Sequence, residues 1–283
     1  MNSTIFDRKY RNLEKTFSVE EKVIVITGGS GVLGGALSAH LLQEGARIVV
    51  IGSRAESVEA KLLDLKPFGS DVLGLAVDCT QEDQLIDARG RVISKWGRID
   101  VLINGAGGNL PGATVGPDQT VFDVSIDDLK TVVNLNLIGS VIPSIVFGKV
   151  FADQKEGSII NVSSMAADRA ITRVLGYSLA KAGVDQLTKW MATDMALKFG
   201  DGIRVNAIAP GFFIGNQNRR LLTEEDGSYT ARGNTIIGNT PMSRFGDINE
   251  LNGVVQFLCS DASKFVTGTI IPIDGGFSAF SGV

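Results

Sequence analysis

The stretch that most constrains the fold is residues 22–35, KVIVITGGSGVLGG. Val23 to Ile26 are four consecutive β-branched residues, and such an unbroken apolar run predicts a strand buried on both faces, as in a parallel sheet. A glycine-rich turn follows, and good helix formers then run to Gly45, which predicts a helix. This order points backbone N–H groups and a helix N-terminus at a phosphate. The alternative is a tight turn without a ligand, since any strand-to-helix turn favours glycine.

The same alternation continues along the chain. Strands are predicted at 23–27, 47–52, 72–77, 99–104, 157–163, 203–208 and 269–273, and helices at 31–44, 55–64, 81–96, 125–152, 175–199 and 247–260. Strands that alternate with helices indicate right-handed βαβ units. We therefore predict an α/β fold, a single Rossmann-type doubly wound domain whose mostly parallel sheet has about seven strands and helices on both faces.

Two segments depart from this alternation. Residues 1–20 carry charges of both signs and are predicted to be an N-terminal extension of a dinucleotide-binding catalytic domain at 21–283. Residues 209–246 are rich in glycine and asparagine. A connection this long in a compact domain usually has a function, so we predict a substrate lid at about 209–246.

Composition excludes several kinds of protein. The net charge of −4 and the pI near 5.2 argue against a nucleic-acid partner or an anionic membrane surface. No apolar run comes close to the ~20 residues that span a bilayer, and the polar N-terminus lacks a secretory signal, so a cytoplasmic protein with no membrane partner is expected. The single histidine, His40, excludes a histidine-rich zinc site. Cys79 and Cys259 lie far apart, and no metal site is predicted.

The residues with the clearest chemical pattern are Ser164, Tyr177 and Lys181. Tyr177 and Lys181 are four residues apart in a predicted helix, so they share one face. An ammonium beside a phenol stabilises the phenolate, and we expect it to lower the tyrosine pKa from its usual value of about 10. Ser164 ends a predicted strand, where a hydroxyl can hydrogen-bond a substrate oxygen. Alone, such a Tyr-Lys pair more often marks an exposed helix face.

With these residues the chain resembles the short-chain dehydrogenase/reductase family, from about Phe17 to Val283. The shared motifs are the turn Thr27–Gly34, the run Asn104–Gly107, Asn136, Ser164, the Tyr177/Lys181 pair and Pro210-Gly211. The resemblance implies a nicotinamide cofactor, hydride transfer at a carbonyl or alcohol carbon, and a homotetramer. It also implies that Tyr177 is the general acid or base, that Lys181 modulates it and binds the nicotinamide ribose, and that Ser164 orients the reacting oxygen.

Further roles follow from the resemblance. Asn136 would support a water that relays protons, whereas its alternative is a buried, satisfied amide. The implied cofactor-binding residues are Gly28, Ser30, Gly31, Val32, Leu33, Ser53, Arg54, Asp78, Cys79, Asn104, Gly105, Ala106, Tyr177, Lys181, Pro210, Gly211, Phe213 and Ile214. The chain departs from the family at Val32, where relatives commonly have glycine, so we expect a locally altered turn.

The residues at the end of the second predicted strand indicate which nicotinamide cofactor is preferred. Members that prefer NAD have an acidic residue near the position of Gly52, where the carboxylate accepts from the ribose 2′-hydroxyl. No acid is present here, and Ser53 with Arg54 could bind a 2′-phosphate. NADP(H) is therefore predicted, with NAD(H) as the alternative if Arg54 is only a solvated charge. Asp78 is placed to meet the adenine, or else is a loop carboxylate beside Thr80.

The lid and the C-terminal residues resemble a mannonate oxidoreductase-like subgroup, often described as fructuronate reductases. A sugar acid needs hydroxyl partners and a cation. The predicted substrate-binding residues are Ser164, Asn109, Asn216, Gln217, Arg169 and Arg219, with Asn218, Arg173 and Arg220 as further candidates. Alternatives are gluconate 5-reduction, 3-oxoacyl reduction, or a nucleotide-sensing module without turnover. The complete Ser164, Tyr177 and Lys181 set disfavours the sensing module.

Overall fold

Seven parallel strands form the centre of the molecule. The computed structural model describes residues 13–215 and 219–282. The strands are β1 Val23–Thr27, β2 Arg47–Gly52, β3 Val72–Ala76, β4 Val101–Asn104, β5 Gly157–Val162, β6 Ile203–Pro210 and β7 Ile270–Ile273. Their order is β3-β2-β1-β4-β5-β6-β7, and every neighbouring pair is parallel. The doubly wound fold is confirmed, with a wholly parallel sheet in the described part of the chain.

Both faces of the sheet are covered by helices. The helices are α1 Leu13–Phe17, α2 Val32–Gln43, α3 Ala55–Leu65, α4 Glu82–Trp96, α5 Ile126–Val133, α6 Gly139–Gln154, α7 Leu175–Phe199, α8 Arg219–Leu222, α9 Ala231–Gly238 and α10 Asn252–Cys259. Side chains of β1 alternate between the two sides, so Ile24 packs in one core cluster and Val25 in the other. Each fully buried aliphatic side chain of this kind stabilises the fold by roughly 1.5–3 kcal/mol.

The helix predicted at 125–152 is interrupted. Between α5 and α6, residues Asn134–Ile138 form a π-helical turn. Such turns occur frequently at functional sites because they change the direction of the side chains that follow. Here the turn carries Asn136, which is fully buried.

The stretch Ile126–Gln154 corrects the expectation that no segment is apolar enough to cross a membrane. Its 29 residues pass the length and composition test, with a mean hydropathy of 1.6 in the best window. Half of that window is buried inside the protein. Phe147 and Phe151 on α6 are fully buried in the core against the sheet. A core helix of this kind is apolar for packing reasons, so the stretch is weak evidence for a membrane span.

The predicted lid has more regular structure than its composition indicates. It contains α8 and α9, and Leu222, Ile236 and Phe245 form a small apolar cluster there. The ring of Tyr229 packs edge-on against Phe245, with centroids 5.2 Å apart. The segment is thus held by its own core.

The described part of the predicted N-terminal extension packs on the domain. The ring of Phe17, at the end of α1, lies 6.1 Å from that of Phe257 on α10. The Phe17 carbonyl also accepts a hydrogen bond from Gln256 Nε2 at 3.2 Å. Residues 1–12 lie outside the described residues, and the domain boundary stays a prediction.

Candidate active site

The carboxyl ends of three central strands are tied together by polar side chains. Thr27, Asn104 and Asn161 are in register across β1, β4 and β5. Thr27 Oγ1 accepts from the N–H groups of Gly105 and Ala106 at 3.1 and 3.3 Å. Asn104 Nδ2 donates to Asn161 Oδ1 at 2.8 Å. Because buried hydrogen bonds of this kind are strong and directional, they fix the loops that leave these strands.

A cavity of about 490 Å³ opens at this edge of the sheet. Its lining includes the predicted cofactor-binding residues Gly28, Ser30, Gly31, Val32, Leu33, Ser53, Arg54, Asp78, Cys79, Gly105, Ala106, Tyr177, Pro210, Gly211, Phe213 and Ile214, together with Ser164. Asn104 and Lys181 are buried behind the lining. The fold therefore brings residues from most of the chain to one cavity, as expected at the carboxyl edge of a doubly wound sheet.

The glycine turn leaves room for a phosphate. Gly28 has φ +67°, and a Cβ there would lie 2.6 Å from the Gly105 carbonyl oxygen. A Cβ at Gly34 would lie 2.4 Å from the Gly28 oxygen, so both positions require glycine. Gly31, the N-cap of α2, has no side chain that could accept from the first-turn N–H groups, and Val32 and Leu33 of this turn line the cavity. These features fit the pyrophosphate of a dinucleotide.

The rim beyond β2 is basic and polar. Gly52, Ser53, Arg54 and Ser57 line it, and the Arg54 side chain is exposed. Within residues 13–215 and 219–282, no carboxylate forms an ion pair with Arg54. A guanidinium without a carboxylate partner can form charge-assisted hydrogen bonds to a 2′-phosphate.

The position of Asp78 is compatible with both interpretations of this residue, and its contact with the adenine stays a prediction. It lines the cavity, as predicted for a residue that meets the adenine. Its Oδ1 also accepts from the N–H and the hydroxyl of Thr80, at 2.9 and 2.8 Å, as in the alternative of a loop carboxylate. The neighbouring Cys79 is buried, and burial raises the pKa of its thiol to about 12, so it serves as a small apolar side chain.

Ser164, Tyr177 and Lys181 converge behind the cavity. Ser164 follows β5, and its Oγ accepts from the Ala166 N–H at 3.1 Å. Ser164 and Tyr177 both line the cavity, and the Ser164 hydroxyl acts to lower the pKa of Tyr177. Lys181, only 3% exposed, donates from Nζ to the Val162 carbonyl at 2.8 Å and lies 5.5 Å from the Tyr177 ring centroid. The three predicted catalytic side chains are therefore neighbours.

The expected direction of the tyrosine pKa shift was wrong for the protein alone. Burial raises the pKa of Tyr177, and the neighbouring Ser164 hydroxyl opposes that shift. Burial also lowers the pKa of Lys181 to about 8, which the nearby Asp185 carboxylate opposes. In both groups burial outweighs the opposing neighbour, because the charged form loses its solvation by water. At neutral pH the tyrosine is therefore a proton donor beside a protonated lysine.

The side chain of Asn136 is fully hydrogen-bonded. Its Nδ2 donates to the carbonyls of Gly108 and Val132 at 2.7 and 2.8 Å, and its Oδ1 accepts from the Gly108 N–H at 3.1 Å. A Cβ added to Gly107 would lie 2.5 Å from Asn136 Oδ1 and 3.5 Å from Lys181 Nζ. The amide thus has the satisfied, buried environment of the alternative interpretation, close to Lys181. Its role in a proton relay stays a prediction.

The predicted substrate-binding residues are more scattered. Asn109 is exposed, and its Nδ2 donates to Thr114 Oγ1 at 2.8 Å. Arg219 is exposed at the start of α8. Asn216 and Gln217 lie outside the described residues. Of the described members of this set, Ser164 lines the cavity with Tyr177, whereas Asn109, Arg169 and Arg219 are not among its lining residues. Their roles stay predictions.

Arg169, the other predicted substrate cation, already has partners. Its Nε lies 3.5 Å from the Asp168 carboxylate, and its Nη2 donates to the Ser278 carbonyl. These bonds connect the loop after Ser164 to the C-terminal residues.

The sequence interpretation missed several neighbours of the site. Thr27 could have been found from its place directly before Gly28, and Asp185 from its place one helical turn after Lys181. Ser57 and Ile248 also line the cavity. Nothing in the linear pattern marks Ile248, because its distance in sequence from the glycine turn hides its proximity in the fold.

Comparisons with known proteins identify relatives of this chain. A family model described as enoyl-(acyl carrier protein) reductase matches residues 30–278. An uncharacterized oxidoreductase of Bacillus subtilis (strain 168), UxuB, is 40% identical over 271 residues, which cover 93% of this chain and 96% of the relative.

Two solved structures are similar over nearly the whole chain. One is a Haemophilus influenzae protein proposed to be a D-mannonate oxidoreductase, with bound NAD. It has a TM-score of 0.88 and 37% identity, and the match covers 96% of this chain and 100% of that one. The other is a gluconate 5-dehydrogenase of Burkholderia cenocepacia J2315 in complex with NADP and tartrate. It has a TM-score of 0.84 and 27% identity, and the match covers 95% and 100%.

The burial of Lys181 predicts a pH-dependent stability. The pKa of Lys181 in the folded protein is about 8, below its ordinary value of 10.5. Above pH 8 the unfolded chain therefore binds more protons than the folded protein does. The free energy of unfolding should therefore rise with pH in that range. Between about pH 7.5 and 9, this rise should be about 1 kcal/mol larger in the wild type than in Lys181→Met.

Urea unfolding of the cofactor-free proteins at several pH values measures this difference. Lys189→Met, which removes an exposed lysine from the same helix, controls for the loss of one charge. Parallel pH profiles for the wild type and Lys181→Met would contradict the effect of burial.

Proposed function

Since the chain belongs to the short-chain dehydrogenase/reductase family, we propose that it interconverts a keto sugar acid and an aldonate of the D-fructuronate and D-mannonate type. The chain is an NAD(P)-dependent oxidoreductase that acts on alcohol and keto groups. We propose NADP(H) as the preferred cofactor. The observation that carries the proposed chemistry is that Tyr177 lines the cavity together with Ser164 and lies beside the buried Lys181.

Each of the three residues has its own role in the reduction. The nicotinamide supplies the hydride in reduction and takes it up in oxidation. Tyr177 is protonated at neutral pH because burial raises its pKa, and it donates that proton to the carbonyl oxygen. Ser164 Oγ accepts from the Ala166 N–H, so its own proton is available to the same oxygen. The Lys181 ammonium stabilises the phenolate that remains.

The sugar-acid substrate has support from relatives. The Haemophilus protein is proposed to act on D-mannonate, and the Burkholderia enzyme is a gluconate 5-dehydrogenase. Both substrates are polyhydroxy acids. Gluconate 5-reduction and 3-oxoacyl reduction use the same chemistry, so they remain the alternatives within the family. A nucleotide-sensing module without turnover would have no need of Tyr177 beside Lys181.

A substrate panel tests the proposed function. Initial rates with fructuronate, 5-ketogluconate and an acetoacetyl thioester, each with NADPH, should be highest for fructuronate. A clear preference for the thioester would contradict the proposal. NADPH binding without turnover of any compound would favour the sensing module.

Tyr177→Phe removes only the phenolic hydroxyl. We expect turnover to fall by about 10²–10⁴-fold, since the variant loses its general acid. Cofactor affinity, measured by NADPH fluorescence, should stay within about twofold because the ring is retained. Unchanged turnover in this variant would contradict the assignment of Tyr177.

Cofactor choice depends on Arg54 in this proposal. Arg54→Ala should weaken NADPH binding by about 1.5–3 kcal/mol, the range of a charge-assisted hydrogen bond, and leave NADH binding nearly unchanged. Arg91→Ala, which removes an exposed arginine from α4, is the matched control. Fluorescence titration with both cofactors measures the effect. Equal losses for NADPH and NADH would show that Arg54 does not bind the 2′-phosphate.

A homotetramer is part of the proposal. Large apolar side chains remain exposed on the helices of one face, among them Leu179 at 56% and Trp190 at 61% on α7. Ile138 and Ile145 are exposed on the neighbouring π-helical turn and α6. Contiguous exposed apolar residues favour association with another subunit.

A further inference from the structure

A second cavity, of about 520 Å³, adjoins the cofactor cavity. Phe212 lines both. One wall is the segment Arg169–Thr172, which lies between the catalytic residues Ser164 and Tyr177 in the chain. The opposite wall is α9 of the lid. The second cavity is therefore bounded by the catalytic segment on one side and by the lid on the other.

Arg232 on α9 brings a positive charge to this cavity. Its guanidinium is half-buried, and Nη1 lies 3.4 Å from Thr172 Oγ1. Within the described ranges, no carboxylate lies within the 4.0 Å of an ion pair with Arg232. A half-buried cation without an anion is costly, so the site is complementary to an anionic ligand.

A second arginine reinforces this charge. Arg173 follows Thr172 directly and has a left-handed backbone, with φ 80°. Its Nε donates to the Val115 carbonyl at 2.8 Å, and this hydrogen bond holds the guanidinium in place. Burial, and after it the charge of Arg173, lowers the pKa of Arg232. Two like charges held close together gain from an anion that binds between them.

The other arginine of the cavity has less capacity for a ligand. Arg169 pairs with the Asp168 carboxylate and donates to the Ser278 carbonyl. Its charge is already compensated. Among the guanidinium groups that line this cavity, Arg232 is thus better placed to receive a new anion.

We infer that Arg232, supported by Arg173 and the Thr172 hydroxyl, binds the carboxylate of the substrate in the second cavity. This assignment rests on the proposed function, since it takes a sugar acid to be the substrate. A guanidinium matches a carboxylate with two parallel hydrogen bonds. The class of ligand is a polyhydroxy monocarboxylate whose carbonyl carbon lies away from the carboxylate, at Tyr177.

The remaining walls suit such a molecule. Thr235 on α9 and Asn239, which follows α9, supply polar groups for substrate hydroxyls. Phe212 and Phe277 pack edge-on, with ring centroids 5.2 Å apart, and they line the cavity on another side. Aromatic side chains exclude water, and a guanidinium–carboxylate pair is stronger where water is excluded.

The test compares acidic and neutral substrates. In Arg232→Ala, the KM for fructuronate should rise about 10- to 100-fold, the equivalent of one charge-assisted hydrogen bond. The KM for a neutral ketohexose should change by less than about threefold. Arg232→Lys should recover part of the loss, because an ammonium keeps the charge without the fork. Arg91→Ala on α4 is the matched control.

A binding measurement separates this inference from the proposed function. Calorimetric titration of D-mannonate into the NADPH-loaded protein measures binding at the subsite without turnover. Arg232→Ala should weaken the affinity for D-mannonate by a similar factor. If the wild type binds D-mannonate through Arg232 but reduces no keto sugar acid, the proposed function fails and the subsite stands. If Arg232→Ala binds and reduces sugar acids as well as the wild type, the subsite is overturned. The subsite would also be overturned if Arg232→Ala raised the KM equally for acidic and neutral substrates, or if it reduced NADPH affinity or thermal stability.

Discussion

The buried ammonium of Lys181 is the constraint on which the site depends. A charge with 3% exposure is unfavourable unless it is bonded, and here the Val162 carbonyl accepts from it at 2.8 Å. That bond joins α7 to the end of β5, so it fixes the helix that carries Tyr177 relative to the strand that leads to Ser164. Ser164 and Tyr177 consequently line the same cavity. The same contact that compensates the buried charge therefore aligns the groups that we propose transfer the proton.

The parallel sheet explains why so many functional residues meet. Since all described strands run in the same direction, the loops that follow them leave at one edge. The glycine turn after β1, the basic rim after β2 and Ser164 after β5 all come from these loops. Two hydrogen bonds hold the strand ends in place: the Gly105 N–H donates to Thr27 Oγ1, and Asn104 Nδ2 donates to Asn161 Oδ1. The cavity is thus a property of the topology, and its chemistry comes from individual loop residues.

Much of the fold could be predicted because local pattern determines it. The unbroken β-branched run gave β1 at Val23–Thr27, and Tyr177 with Lys181 could be placed on one helical face. The π-helical turn at Asn136 could not be predicted, since hydrophobic periodicity continues through it. The lid helices were hidden by a composition rich in glycine and asparagine. The tyrosine pKa was misjudged because sequence shows the neighbouring charge but not the burial. Arg232 was missed because only the fold brings it to Thr172.

The most direct test of the central claim follows the transferred atoms. If Tyr177 and Lys181 act beside a bound nicotinamide, reduction of fructuronate with NADPH that carries two deuterium atoms at C4 should give an aldonate with one deuterium. Mass spectrometry should find this label on the new carbinol carbon in the wild type. Unlabelled product, or label that exchanges with solvent, would contradict direct hydride transfer at this site.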